Sequence, residues 1–305
     1  MTKTSILSAV FVDNMRVHIL TDHDVKTINY TNGKTYAAFS IDGYKKIAVI
    51  PNSNILICIP KDDKKKFVNF YETTTSSLIQ TLETPDAVLN IVAKENHFIV
   101  CTSRKLIVYR IFDFKQIQSF DIDFSHDKLF DCPMGSSIDY IAYADVTKGV
   151  LTIANYLTGS ILNNIHIVKA EINYVQFSRS GRLIAILGEN VNLLKVYSFP
   201  KFEEVATANV NLTDQSINSL TFNATETTII ITSSKNFITV VDFNKKGTDE
   251  YVTKFDLIHK PIYATFDIYS NCLYLIAQDG RGFKVDAENV AHSALYKEAY
   301  VIQEK

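Results

Sequence analysis

The side chains that could do chemistry are few and scattered along this chain. The seven histidines stand at positions 18, 23, 97, 126, 166, 259 and 292, and no HExxH, GxSxG or paired Cys/His metal spacing occurs. The ten glycines form no phosphate-binding loop. We expect the histidines to occupy surface or turn positions. The sequence therefore predicts a protein that is not an enzyme and that holds no cofactor and no metal.

One run of charge stands out, in which Asp62 and Asp63 are followed by Lys64, Lys65 and Lys66. Because it lies between two predicted strands, we interpret it as a solvated hairpin tip, and an electrostatic contact to a partner is the alternative. The formal net charge of the whole chain is −2. Since no global basic field exists to attract nucleic acid, we expect no nucleic-acid partner.

The cysteines indicate a reducing compartment. Cys58, Cys101, Cys132 and Cys272 form no CxxC pair and lie in or beside apolar runs. Such residues are typical of reduced core thiols in a cytosolic protein. The N-terminus lacks the apolar region of a signal peptide, and no apolar run reaches the roughly 18 residues that span a bilayer. We therefore expect a cytoplasmic protein whose membrane contacts are peripheral.

One strand pattern recurs along the chain, and it indicates the fold that positions the residues described above. Its marker residues are Ile28, Val68, Val108, Ile153, Val196, Val241 and Lys284, separated by 40, 40, 45, 43, 45 and 43 positions. This period is typical of a four-stranded propeller blade. Helix signals are scarce, and the abundant β-branched and aromatic residues favour strands. The sequence predicts an all-β, seven-bladed β-propeller, which is WD40-like without Trp-Asp signatures because the chain has no tryptophan.

We expect one domain over residues 1–305, with blades at roughly 1–43, 44–84, 85–124, 125–168, 169–212, 213–258 and 259–305. The strand that opens a blade is clearest at Ile172 to Phe177, Ile217 to Phe222 and Ile262 to Phe266. Residues 125–150 fit the pattern least well. Both termini can supply complete blades, and closure by packing alone and closure by an exchanged strand both stay open.

Several blades resemble the PROPPINs, which are autophagy-related β-propellers that bind phosphoinositides. Residues 88–117 are similar to the third blade of that family, and residues 276–284 are similar to a strand of its last blade. The segment from Ile172 to Phe199 is similar to the fifth blade and keeps its pattern at Ser178, Gly181 and Val196. The resemblance implies a non-enzymatic scaffold or adaptor that acts in autophagy or membrane trafficking.

The diagnostic PROPPIN motif, Phe-Arg-Arg-Gly, is absent. Its adjacent arginines point to opposite sides of a strand, so each can bind a phosphate in its own pocket. On an alignment without gaps the motif falls on residues 208–211, which contain no arginine. The resemblance implies a degenerate lipid site formed by Lys195, Asn209, Ser233 and Ser234. Binding to membranes that contain phosphatidylinositol 3-phosphate is then weakened or lost.

The family also has a long blade-six connection that inserts apolar side chains into membranes. The matching segment, about Asn244 to Thr253, is short and polar. Its candidates for membrane contact are Lys245, Lys246 and Tyr251, and nearby acidic residues offset their charge. The resemblance implies a peripheral position at endosomal, vacuolar or pre-autophagosomal membranes.

The resemblance further implies protein partners of the autophagy or trafficking type. PROPPIN-like proteins bind such partners in the groove between the second and third blades. The aromatic and basic anchors available there are Tyr71, Arg104, Lys105 and Arg110. The alternative function is a purely protein-binding propeller that has dropped the lipid site and serves outside autophagy.

Overall fold

The computed structural model describes residues 6–12, 16–29, 32, 34–62, 64–133, 138–247, 251–257, 259–266, 272–278, 281–286 and 297–301. The predictions that involve Asp63, Asp279, Gly280 and His292, and the acidic residues Asp249 and Glu250, lie outside the described residues. Within those ranges, strands dominate and the one helical element is a short 3-10 helix, Phe243–Lys245.

The strands form seven four-stranded antiparallel sheets, each built from consecutive strands. The predicted all-β, seven-bladed β-propeller is therefore confirmed, and each sheet is one blade. Blade one contains β1 (Ile6–Phe11), β2 (Arg16–Thr21), β3 (Asp24–Asn29) and β4 (Thr35–Ser40). Blade two contains β5 (Tyr44–Val49), β6 (Ile55–Pro60), β7 (Phe67–Glu72) and β8 (Ser77–Glu83). Blade three contains β9 (Val88–Ala93), β10 (His97–Thr102), β11 (Lys105–Arg110) and β12 (Gln116–Asp121).

Blade four contains β13 (Phe130–Asp131), β14 (Tyr140–Ala144), β15 (Val150–Asn155) and β16 (Ile161–His166). Blade five contains β17 (Ile172–Phe177), β18 (Leu183–Gly188), β19 (Leu193–Ser198) and β20 (Glu204–Asn209). Blade six contains β21 (Ile217–Phe222), β22 (Thr228–Ser233), β23 (Phe237–Asp242) and β24 (Val252–Asp256). Blade seven contains β25 (Pro261–Phe266), β26 (Cys272–Ala277), β27 (Arg281–Asp286) and β28 (Lys297–Val301).

Bulges recur at the same place in successive blades. In most first strands the second residue is left out of the pairing, as at Lys45, Asn173 and Asn218. Fourth strands carry the same feature at Tyr36, Ile79, Ile117 and Leu162. A bulge interrupts the ladder and increases the local twist, which makes an outer strand a poorer template for pairing with other chains.

The chain divides into two compact units, residues 43–207 and residues 1–42 with 208–305. In the first unit, Phe70, Phe98 and Tyr109 form an aromatic cluster between blades two and three. Phe98 meets Phe70 edge to face and stacks on Tyr109, with ring centroids 5.2 Å apart in both pairs. Phe114 has a left-handed backbone (φ 54°) and lies 4.7 Å from the Phe70 ring. Aromatic packing therefore compensates for a conformation that glycine adopts more easily.

The second unit is organised around blade seven. Ile6, Val17 and Ile19 of blade one share a buried cluster with Tyr274 and Ile276 of blade seven. On its other side, blade seven packs against blade six through a cluster that contains Ile230, Ile238, Val240, Ala264, Phe266, Leu273 and Leu275. Apolar contact therefore joins blades six, seven and one within this unit, as a repeat architecture requires.

Blade four departs most from the repeat, where the sequence pattern is also least regular. Its first strand, β13, has only two residues. Asp131 in that strand is buried, and its carboxylate accepts hydrogen bonds from the Phe177 amide (2.7 Å) and Gln176 Nε2 (2.6 Å) of blade five. Burial raises the pKa of Asp131 to about 7. Side-chain hydrogen bonds thus supplement a shortened strand.

Candidate functional site

Lys195, the predicted cation of the degenerate lipid site, lies on β19 and already has a carboxylate partner. Its Nζ is 3.4 Å from Glu204 Oε2 and 3.4 Å from the Tyr197 hydroxyl. Burial opposes the charge, but Tyr197 and Glu204 together raise the pKa of Lys195 above its ordinary value. A phosphate at this position would have to compete with Glu204.

Residues 208–211, where the two arginines and the glycine of the motif should fall, end β20 and begin the next connection. Asn209 is exposed, and Val210 is fully buried. Asn211 has a left-handed backbone (φ 50°), a conformation that glycine adopts readily and that matches its place in the motif. If the alignment without gaps holds, a neutral amide and a core valine stand at the two arginine positions.

The predicted serines hold a turn together. The Ser233 hydroxyl is buried, donates to Gln215 Oε1 (2.6 Å) and accepts a hydrogen bond from the Lys235 amide (3.3 Å). The Ser234 amide donates to the carbonyl of Ser216 at 2.8 Å. A ligand role for the Ser233 hydroxyl would require Gln215 to move.

Lys254 on β24 is a cation in this region that the sequence analysis missed. The side chain is exposed, and its Nζ donates to the Asn211 carbonyl at 3.0 Å and lies 5.4 Å from the Phe237 ring centre. Its strand partner Thr239 has a buried hydroxyl without a hydrogen-bond partner. Nothing in the sequence distinguishes Lys254 among the 31 lysines and arginines.

The blade-six connection holds the membrane-contact candidates close to the sheet. The Asp242 side chain caps the 3-10 helix through the Asn244 amide, at 3.0 Å. The Asp242 amide donates to the Tyr251 carbonyl at 3.1 Å. Lys246 is exposed, whereas Lys245 and Tyr251 are half-buried. Tyr251 therefore offers only part of its ring to a membrane.

The partner-binding candidates occupy two separate places. Arg104 is exposed at the start of β11, where Lys105 Nζ lies 3.5 Å from Asp121. Arg110 is at the other end of that strand, roughly 20 Å from Arg104 at the usual rise per residue. Tyr71 is half-buried on β7, and its hydroxyl lies 3.0 Å from the Tyr44 hydroxyl. The structure therefore does not bring Arg104 and Arg110 together.

Arg110 organises an exposed aromatic side chain that the sequence analysis missed. Its guanidinium binds Asp113 through two bonds of 2.6 and 3.2 Å and lies 4.6 Å from the Phe112 ring centre. Phe112 is 78% exposed, the largest value among the described exposed apolar side chains. A lone phenylalanine in a short turn gives little signal in the sequence. In the structure it is an exposed aromatic ring beside a cation.

The described residues of the charge run, Asp62 and Lys64 to Lys66, lie at the hairpin tip between β6 and β7, as the sequence predicts. Asp62 accepts a hydrogen bond from the Lys64 amide, and Lys66 Nζ donates to the Pro85 carbonyl at 3.0 Å. Lys65 lies 5.9 Å from the Phe67 ring centre. Lys65 and Lys66 thus contact neighbouring residues of the same chain. An electrostatic contact to a partner stays a prediction.

The three cysteines whose side chains are described, Cys58, Cys101 and Cys132, are buried and unpaired, and burial raises the pKa of each thiol. In the described part of the chain, no three histidine, cysteine or acidic side chains are grouped as a metal site. No helical segment of that part is long and apolar enough to cross a membrane.

No known family model matches the chain. Autophagy-related protein 18 of Dictyostelium discoideum is 21% identical over 168 residues, which cover 54% of this chain and 45% of that protein. The match thus spans less than half of the relative's length.

Solved structures share the fold over nearly the whole chain. Kluyveromyces lactis Hsv2 with a complete loop 6CD has a TM-score of 0.76 at 13% identity and covers 92% of this chain and 93% of its own. The complex of KlAtg21 with the coiled coil of AgAtg16 has a TM-score of 0.73 at 13% identity, with 92% and 94% covered. The resemblance predicted from the sequence is thus confirmed, and the chain is a divergent β-propeller that is similar in fold to these proteins.

Proposed function

We propose that the protein is a non-enzymatic adaptor in autophagy or membrane trafficking with weakened binding to phosphoinositides. The observation that carries this proposal is the fully buried Val210, next to the neutral Asn209, where the family has adjacent arginines. A buried valine offers a phosphate no donor, and an amide lacks the charge and the fork of a guanidinium. On this proposal the fold is retained while the affinity for phosphate is reduced.

The remaining cations compensate only in part. Lys254 is exposed beside Asn211, but Lys195 is paired with Glu204. A lysine is a point charge that cannot reproduce a bidentate contact. Each hydrogen bond to a charged group contributes about 1.5–3 kcal/mol, so loss of the two arginines lowers affinity by at least about a hundredfold.

Membrane contact through the blade-six connection adds little. Lys245 and Lys246 each contribute about 1 kcal/mol near an anionic surface. Stable peripheral anchoring needs two signals, and the half-buried Tyr251 is a poor second one. We infer that a protein partner brings the chain to endosomal, vacuolar or pre-autophagosomal membranes.

The partner surface that we favour lies at the end of β11. Phe112 and Arg110 supply an exposed aromatic ring and a held guanidinium, the residue types that dominate interface energetics. The fold relative KlAtg21 is in complex with a coiled coil. We therefore propose a helical partner with an apolar stripe. A role outside autophagy is the second candidate, since the surface itself does not specify the pathway.

Liposome flotation tests the lipid part of this proposal. The protein is mixed with phosphatidylcholine liposomes that either contain or lack phosphatidylinositol 3-phosphate. We expect similar recovery from both, because the two arginine positions hold Asn209 and Val210. Strong enrichment on the phosphoinositide liposomes would remove the proposal of weakened binding.

Capture of partners from cell extract tests the protein-binding part. We expect Arg110→Glu to reduce partner recovery at least about tenfold, since it replaces the cation that holds Phe112. Arg104→Glu makes the same charge change at the opposite end of β11 and serves as the matched control. Unchanged recovery with both variants would exclude both arginines from the partner site.

A further inference from the structure

Two lysines and one aspartate come together beside the first strands of blades two to five. Lys46 lies on β5, and its Nζ donates to Asp127 Oδ2 at 2.5 Å. Asp127 lies in the turn before β13, and Lys128 Nζ lies 3.8 Å from the same Asp127 oxygen. We define these three residues as the lysine cluster. All of them belong to the compact unit of residues 43–207.

Hydrogen bonds to two neighbouring blades position the turn of the lysine cluster. In blade three, Asn90 Nδ2 donates to the Asp127 carbonyl at 3.1 Å. In blade five, the Val175 amide donates to the Lys128 carbonyl at 2.9 Å, and the Tyr174 ring centre lies 5.6 Å from Lys128 Nζ. The turn is thus placed before any ligand arrives, which lowers the cost of ordering it on binding.

The lysine cluster is sheltered but open to solvent. The side chains of Lys46 and Lys128 are each 26% exposed, and that of Asp127 is 28% exposed. Charges interact more strongly in such a place than at a fully hydrated surface, because water screens them less. Since most of each side chain is covered, the ligand that we expect is a small ion rather than a membrane or a protein surface.

The charges of the lysine cluster do not balance. One carboxylate faces two ammonium groups, and among the residues that the structure describes no second carboxylate forms an ion pair with either lysine. Burial lowers the pKa of Lys46 to about 8, and repulsion by Lys128 adds to this shift, although Asp127 opposes it. A charge that is taken from water without a partner is costly, so a further anion would stabilise both ammonium groups.

The other titratable groups near the lysine cluster do not supply this anion. His126 Nδ1 accepts a hydrogen bond from the Lys128 amide at 3.3 Å, and burial lowers the pKa of the imidazole. The Cys101 thiol interacts electrostatically with Lys46, but burial raises its pKa, so it stays protonated at neutral pH. Asp131 attracts Lys128 from β13, but its carboxylate is hydrogen-bonded to blade five.

We propose that the lysine cluster binds a small oxyanion of the phosphate type. An ammonium group has three donors, so Lys46 can keep its bond to Asp127 and also donate to the anion, together with Lys128. Binding is weak, with a dissociation constant of about 1 mM, because Asp127 offsets one of the two positive charges. The lysine cluster shares no residue with the predicted lipid site or with the partner surface at Arg110.

A titration of the full chain with inorganic phosphate, followed by the line width in phosphorus NMR, tests this proposal. Sodium chloride keeps the ionic strength constant. We expect saturable broadening with the wild type and an at least about tenfold loss of affinity in Lys46→Met, which removes the ammonium group and keeps an unbranched side chain. Lys148→Met is the matched control, since Lys148 is an exposed lysine of blade four that pairs with Glu171. Circular dichroism verifies that each variant folds.

Removal of the competing carboxylate should have the opposite effect. Asp127→Asn keeps an oxygen that can accept the hydrogen bond from Lys46, but it leaves both positive charges to the anion. We expect this variant to bind phosphate at least about tenfold more tightly than the wild type. An ion pair that served only to join the blades would not gain affinity for phosphate from this change.

The pH dependence of binding has a defined sign. Lys46 loses its proton as the pH rises through about 8, so its attraction for an anion is lost there. Burial opposes ionisation of Asp127, but Lys128 and Lys46 lower its pKa, so Asp127 stays ionised throughout. Between about pH 7.5 and about pH 9.5 the phosphate affinity of the wild type should fall at least about tenfold, and that of Lys46→Met should change little.

Four outcomes would overturn the proposal. They are no saturable broadening with the wild type up to about 20 mM phosphate, a Lys46→Met variant that binds like the wild type, an Asp127→Asn variant that gains no affinity, and a Lys148→Met variant that is equally impaired. A second titration with glycerol phosphate shows whether the ligand class extends from the free ion to small phosphate esters. Liposome flotation and partner capture use other residues, so the proposed function stands or fails separately.

Discussion

Replacing Asp131 with asparagine is expected to remove a decline in stability between about pH 4 and about pH 7. Burial raises the pKa of this carboxyl in the folded state to about 7, against about 3.9 in an unfolded chain. The folded state therefore binds the proton more tightly, and its stabilisation is complete below about pH 4 and lost as the pH rises through about 7. The expected change reaches about 4 kcal/mol.

Urea unfolding at about pH 4.5 and about pH 8 measures this difference. The amide oxygen that Asp131→Asn introduces can still accept the hydrogen bond of the Phe177 amide, so the variant should fold. Asp145→Asn is the control: burial opposes the shift, but hydrogen bonds from Thr147 and Thr152 lower the pKa of Asp145, so its contribution is lost as the pH falls. Parallel pH profiles for wild type and Asp131→Asn would contradict the expectation.

Gly149→Ala should be strongly destabilising. Gly149 has φ +74°, and a Cβ there would lie 1.9 Å from the Val168 carbonyl oxygen and 2.9 Å from that of Ala170. A left-handed conformation costs a residue with a side chain about 1–2 kcal/mol, and overpacking against backbone adds about 1–3 kcal/mol. We expect the free energy of unfolding, measured in urea, to fall by about 3 kcal/mol or more.

Gly43→Ala separates the two causes. Gly43 has the same kind of backbone (φ +75°), but no atom lies within 4 Å of the position where a Cβ would be. This variant should lose only the conformational part, about 1 kcal/mol. Equal destabilisation in both variants would show that the close approach to the Val168 carbonyl does not matter.

The sequence was sufficient to predict the blades, because one strand of each blade is buried on both faces. The markers Val68, Val108, Ile153 and Val241 lie in the third strands of their blades and are fully buried. Four short strands and their turns occupy a nearly constant length, so these buried strands recur with a regular period. The sequence pattern is regular where all four strands of a blade are complete. It is least regular around β13, which has only two residues.

The site was harder to predict, because it depends on contacts that no local pattern encodes. The pairing of Lys195 with Glu204 and the position of Lys254 beside Asn211 follow from strand register. The exposure of Phe112 depends on how its turn leaves the sheet. The absence of a Phe-Arg-Arg-Gly motif, by contrast, is visible in the sequence alone, and the structure adds that Val210, which the alignment without gaps places at one arginine position, is in the core.

The central claim, a propeller that resembles the PROPPINs but binds phosphoinositides weakly, is tested most directly by calorimetric titration. A water-soluble, short-chain phosphatidylinositol 3-phosphate is titrated into the full chain. We predict no saturation at roughly 100 μM ligand, and a gain in affinity when Asn209→Arg restores one guanidinium. A dissociation constant of about 1 μM for the wild type would contradict this claim.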